Sequence, residues 1–196
     1  MPEQSAAVRP RGRADTRERL LAAVDELCAE RGWTACTLQA VARRAGLTTG
    51  AVYSTYGSRG ALLAASMVRR VENEGLPPDE RDLVRAVAAF ARSFYASSQT
   101  ADGIALVTTQ LDLVRLAATD PALAQALSDG FDQLLGSLVD GLDARGARVK
   151  GLTTPQLARR LVGVLQGLLI QVIAFSAPNT EQDFVNAALA VVGAPA

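Results

Sequence analysis

Along almost the whole chain apolar residues return every three or four positions, the spacing of one helix face, and no strand pattern competes. From Asp15 to Gly32 the stripe is Leu20, Leu21, Val24, Leu27 and Cys28, with charges on the other side. Asp15-Thr16-Arg17-Glu18 has the form of a capping box, Asp15 capping and Glu18 reaching back. Two short helical patterns follow and meet at Gly46. Thr37 is placed to cap the first and Thr48 the second, each hydroxyl accepting from an orphan amide. Val41 and Ala45 mark the inner face of one; Val52 and Tyr56 mark that of the other. Gly46 stands where the first helix must stop in a left-handed conformation, and Leu47 fills the corner. Gly57-Ser58 then caps a fourth helix, to about Glu74, with Leu62, Leu63, Ser66 and Met67 inward.

The remaining two thirds also reads as helix. Gly75-Leu76-Pro77-Pro78 marks a boundary. Helices are expected from about Glu80 to Ser97, from about Ala101 to Ala118, and from Pro121 after an Asp120 cap. Gly141 to Gly151 reads as a polar, glycine-rich loop. A long helix runs from Thr154-Pro155 to about Phe175, and a last one from Thr180 and Asp183 to about Val192. The helix beginning at Pro155 is apolar over more than one side, so it must be covered from several directions. Together with the amphipathic last helix it suits a four-helix interface between two copies, for which the candidates are Leu161, Leu165, Leu168, Val172, Phe184 and Ala188. The division implied is a basic disordered arm (1–14), a helical unit (15–60), a linking helix and boundary (61–78), and a helical domain (79–196). The whole is all-α, with about nine helices.

Two short helices joined by a glycine-containing turn make a helix-turn-helix, whose second helix can lie in a DNA major groove. That second helix has no Arg, Lys, Asn or Gln, the usual bidentate base readers. It offers Thr48, Thr49, Gly50, Ala51 and Ser54: Thr49 to hydrogen-bond a base edge, Ala51 to meet a thymine methyl, Gly50 to let the backbone approach. Thr37, Tyr53, Thr55 and Arg59 can donate to phosphates, and Arg44 can reach backbone or base.

The spaced residues Ala22-Ala23, Leu27, Gly32, Thr37, Val41-Ala42, Ala45-Gly46-Leu47, Gly50, Val52-Tyr53, Tyr56, Ser58 and Leu62 resemble the DNA-binding domain of TetR-family transcriptional regulators over roughly residues 15 to 65. Thr55 stands where that family usually has His, Tyr56 where it has Phe, and Arg59-Gly60 where it has Lys-Glu. The resemblance implies backbone contacts from Thr37, Tyr53 and Arg59, a homodimer on double-stranded palindromic operator DNA, and a repressor released by a small apolar effector. It also implies a pocket after the linking helix, with Phe94, Tyr95, Thr108, Gln110, Leu111, Phe131 and Gln166 as candidates. These are apolar or neutral residues, which suit an apolar or neutral ligand. The linking helix is the expected route from ligand to DNA. The reading set against this one is a helical interaction or small-molecule-binding module that does not bind DNA.

Composition narrows the field further. Formal net charge over the 196 residues is zero, so bulk charge does not point to nucleic acid. The distribution does: Arg9, Arg11, Arg13, Arg17 and Arg19 crowd one end, and Arg43, Arg44 and Arg59 flank the motif. There is no histidine, which removes the commonest general base and metal ligand; no nucleotide-binding glycine loop is present, and neither an enzyme nor a cofactor is expected. Cys28 and Cys36 read as small buried hydrophobes rather than a disulfide. The N-terminus lacks an apolar signal core, and the run Leu161 to Phe175 is too short and too interrupted to span a bilayer. A cytoplasmic protein with no membrane partner is therefore expected.

Overall fold

The structure, a computed structural model, describes residues 12–71, 75–175 and 178–194. Among them are nine α-helices and one 3-10 turn, and no strand. The chain divides into two compact units, the first ending at Leu63 and the second beginning at Ala64. Most of the basic arm, to residue 11, lies outside the described residues, as do 72–74 at the end of the linking helix.

The first unit contains α1 (Arg13–Arg31), the 3-10 turn (Trp33–Ala35), α2 (Leu38–Arg44), α3 (Thr49–Tyr56) and the start of α4 (Arg59–Val71). Its core is the expected stripe. Leu20, Val24, Val41, Val52 and Leu62 are almost completely removed from solvent, each burial stabilising by about 1.5–3 kcal/mol. One local expectation fails. Gly12, not Asp15, precedes α1, and no side chain caps it. Asp15 lies inside the first turn, where a carboxylate still complements the helix dipole. Ser58 does cap α4, its Oγ accepting from the Ala61 amide at 3.0 Å.

The second unit contains α5 (Leu83–Ser98), α6 (Ala101–Ala117), α7 (Pro121–Ala144), α8 (Thr154–Phe175) and α9 (Glu181–Val191), together with the end of α4. Asp82, Thr100, Asp120 and Thr180 cap α5, α6, α7 and α9 through their side chains, each cap contributing on the order of 1 kcal/mol. The expected loop beginning at Gly141 starts four residues later, at Arg145, because Leu142 is fully buried and α7 continues to Ala144. Arg145 closes that end, donating to the carbonyls of Gly141, Pro77 and Glu80. α5 packs on α9, α8 and α6; α8 packs on α7 and α9. Leu157, Leu161, Leu165 and Phe184 are the centre of this core. α8 is long and apolar enough to cross a membrane, but Leu157, Leu161, Val162, Leu165 and Leu169 are part of this packed interior.

Candidate nucleic-acid interface and ligand cavity

The helix-turn-helix is built from local hydrogen bonds. Thr37 Oγ1 accepts from the Ala40 amide at 3.2 Å and starts α2. At the other end Gly46 has φ 62°, the left-handed region a side chain resists. There the Gly46 amide donates to Arg43 and the Leu47 amide to Ala42, at 3.1 and 2.8 Å. Thr48 Oγ1 then accepts from the Ala51 amide at 3.2 Å and starts α3. A further brace comes from α1: Arg19 donates to the carbonyls of Ala45 and Gly46. A cation at a helix C-terminus satisfies carbonyls that have no partner within the helix.

With Val52 buried, α3 presents its opposite side outward. Tyr53 is 55% exposed, Thr48, Gly50 and Ser54 are exposed, and Thr49 and Ala51 are partly so. The hydroxyls of Ser54 and Thr55 both donate to the Ala51 carbonyl, at 3.1 and 2.6 Å, so Thr55 is turned back onto its own helix. Tyr56 donates to the Arg17 carbonyl at 3.4 Å and carries the Arg17 guanidinium over its ring.

Both arginines expected at DNA have partners within the unit. Arg44 makes a bidentate pair with Glu30, at 2.8 and 2.7 Å, and a third bond to Glu26 at 3.0 Å. This pairing raises the Arg44 guanidinium's affinity for its proton and holds the Glu30 carboxyl below its ordinary range. Arg59 donates to the carbonyls of Cys36 at 2.9 Å and Trp33 at 3.3 Å, and its guanidinium lies 4.7 Å from the Trp33 ring centre. Neither contact could be inferred from the residues next to it, because the partners lie 14 to 26 positions away.

In the second unit the end of α4 and helices α5 to α8 line a partly open cavity of about 410 Å³. Four expected residues line it: Phe94, Gln110, Phe131 and Gln166. Three do not. Tyr95 packs edge-on against Phe184 in the core, with ring centres 5.6 Å apart. Thr108 is exposed and its hydroxyl returns to the Ile104 carbonyl; Leu111 is 44% exposed. The α6 residues that face the cavity are Gly103, Leu106, Val107, Gln110, Val114 and Ala117, one face at helical spacing that Thr108 and Leu111 miss by one position. Met67, Val68, Ser97 and Ser128 complete the part that the sequence reading overlooked. No charged residue lines the cavity among the described residues. Its polar groups are two carboxamides and two hydroxyls, from Gln110, Gln166, Ser97 and Ser128. Arg159 places its guanidinium 5.9 Å from the Phe131 ring centre, neutralised by Asp132 at 3.1 Å.

Residues 20–66 match the profile of the bacterial regulatory proteins of the tetR family. Through this unit the chain is similar to the tetR family. No curated protein matches it by sequence. Solved structures match over nearly the full length. The TetR family transcription regulator SCO0332 has a TM-score of 0.74 at 22% identity, covering 93% of this chain and 99% of its own. A TetR-family regulator from Mesorhizobium loti has a TM-score of 0.63 at 17% identity, covering 94% and 96%. The multidrug binding protein EbrR, solved in complex with proflavin, has a TM-score of 0.61 at 22% identity, covering 90% and 99%. The fold is that of these TetR-family transcriptional regulators.

In this TetR-family fold the expected dimer residues separate into two groups. Leu161, Leu165, Phe184 and Ala188 are fully buried within the protomer and have no surface to offer. Leu168 and Val172 are only partly buried, and lie on the same side of α8 as Val164, 37% exposed, and Phe175, 74% exposed. Positions 164, 168, 172 and 175 form one stripe at helical spacing. Gly163 and Gly167 flank it, with open space where a Cβ would stand.

Proposed function

We propose that the protein is a transcriptional repressor that binds a palindromic operator as a homodimer and is released by a small, uncharged, largely apolar molecule in the cytoplasm. The observation that carries this reading is the cavity: about 410 Å³, lined without charge, in a chain whose other unit leaves the Thr48–Tyr53 side of α3 open. An ionised ligand would leave water for a site with no counter-charge, which is costly. A neutral one has Gln110 and Gln166 to fix its orientation, as small-molecule sites use a few polar groups on an apolar wall. EbrR, similar in fold, holds proflavin, so small organic molecules fit proteins of this architecture.

On DNA, Thr37 and Tyr53 contact phosphates while Thr49, Gly50 and Ala51 face base edges. With few direct base readers, groove shape and half-site spacing of about 34 Å supply much of the specificity. Dimerisation uses the Val164, Leu168 and Val172 side of α8. Ligand release acts through α4, whose Met67 and Val68 line the cavity and whose first residue, Arg59, is anchored on Trp33 and Cys36.

One observation favours a second reading. Arg44 and Arg59 are both engaged within the protein, leaving fewer cations for phosphate, as a helical interaction module would tolerate. A binding titration at low salt against DNA flanking the protein's own gene separates the two. A sequence-selective, salt-sensitive complex supports the repressor; no complex in the ligand-free protein supports the module.

A further inference from the structure

We propose that Cys28 and Cys36 are a peroxide-reactive thiol pair that closes into an intramolecular disulfide inside the helix-turn-helix unit. Their sulfurs lie 3.1 Å apart in the folded protein, buried and facing each other. A disulfide bond is about 2.05 Å long, so closure asks for about 1 Å of further approach. The two residues are eight apart in sequence, Cys28 in the last turn of α1 and Cys36 at the end of the 3-10 turn. The segment to be drawn in is therefore short and contains Gly32.

Chemistry assigns an order to the two sulfurs. Cys28 is 9% exposed and Cys36 1%, so a small oxidant meets Cys28 first. The Cys36 thiol is pushed up, chiefly by its hydrogen bond with Cys28 and then by burial. Cys36 thus keeps its proton, and the reaction with oxidant falls to the more exposed Cys28 sulfur. The Cys28 sulfur attacks one oxygen of hydrogen peroxide and the O–O bond breaks. This leaves a sulfenic acid on Cys28 and a hydroxide that takes up the displaced thiol proton as water. The Cys36 sulfur then attacks the Cys28 sulfur. The S–S bond forms, the S–O bond breaks, and the hydroxyl leaves with the Cys36 proton as a second water. Two electrons from two thiols reduce one peroxide to two waters.

Closure acts on the parts of the unit that hold α2. The Cys36 carbonyl accepts from Arg59, the first residue of α4, and the Trp33 ring beneath that guanidinium lies in the same segment. Thr37, the α2 cap, is the next residue after Cys36. A covalent tie from α1 to Cys36 makes the start of α2 harder to open.

The full-length protein is treated with a small excess of hydrogen peroxide, then digested without reduction and analysed by mass spectrometry. The expected product is a chain lighter by two hydrogens, with its 28- and 36-containing peptides joined and both thiols lost to alkylation. Dithiothreitol should restore them. In Cys36→Ser, dimedone should trap a sulfenic acid on Cys28, whereas Cys28→Ser should leave Cys36 unmodified. Amide exchange from Thr37 to Val41 should slow by about fivefold or more in the oxidised wild type, a factor matching roughly 1 kcal/mol of local stability. Two thiols still open to alkylation, over-oxidation without a cross-link, or a disulfide only between chains would overturn the proposal. Unchanged exchange in a cross-linked protein would overturn its effect on α2. None of these readouts uses DNA, so a failure to bind an operator counts against the repressor and not against the thiol pair.

Discussion

Val68 occupies the space that a side chain on Gly130 would need: a Cβ built at Gly130 would stand 2.2 Å from Val68 Cγ2. Both residues line the cavity, so here the end of α4 touches the α7 backbone as closely as packing allows.

Replacing Gly130 with Ala sets two effects against each other. Alanine in mid-helix gains up to about 1 kcal/mol of propensity, while over-packing against a stiff β-branched side chain costs about 1–3 kcal/mol. The clash should win, and Gly130→Ala should lower the thermal midpoint. Adding Val68→Ala removes the obstructing methyl groups, so the two changes together should cost less than the sum of each alone. A double-mutant cycle by denaturant unfolding checks this; strict additivity would mean that the close approach is not real.

Arg44 should matter for acid stability. The Glu30 carboxyl is held low chiefly by its hydrogen bond from Arg44. A depressed folded-state value contributes stability that is present above the unfolded carboxylate range and lost as pH falls through the folded value. The midpoint gap between wild type and Arg44→Ala should therefore be steady near neutrality and shrink in acid. The pair is at the surface, so the gap should be small and reduced by salt. Thermal melts across a pH series measure it, and a gap that persists unchanged into acid would assign Arg44 some other role.

Tyr53 and Thr49 should divide the work at DNA. Tyr53→Phe removes an exposed hydroxyl that the proposed function assigns to phosphate, so affinity should fall about equally for every site variant. Thr49→Ala should change the ranking of the variants instead. Titration against a panel of mutated sites compares the two, and sequence-blind losses for both would remove Thr49 from base recognition.

On α8, neighbouring residues should give opposite outcomes. Val164→Glu puts a charge on the exposed stripe and should yield a folded monomer. Leu165→Glu puts it in the core, where an unpaired charge costs several kcal/mol and the protomer itself should unfold. Sedimentation velocity and circular dichroism distinguish these results. A Val164→Glu protein that stays dimeric would move the interface elsewhere.

The residues by themselves determined what short-range hydrogen bonding and periodicity control. Thr37, Thr48, Asp120 and Thr180 cap the helices they were expected to cap, since a cap needs only an amide two or three positions on. Gly46 stops α2, and Val52 turns inward, for equally local reasons. The family resemblance placed Gln110 and Gln166 among the pocket residues, but the rotation of α6 could not be read to within one residue, and so Thr108 and Leu111 were admitted with them. Tertiary structure decided the rest, where a choice depends on partners far along the chain. Arg44 and Arg59 have the charge to meet phosphate, and only the folded positions of Glu30, Glu26, Trp33 and Cys36 show that both are already engaged. A helix apolar on more than one side, such as α8, cannot disclose which side belongs to its own core. Leu161 and Leu165 went inward because α5, α7 and α9 close over them, leaving Val164 and Phe175 outside.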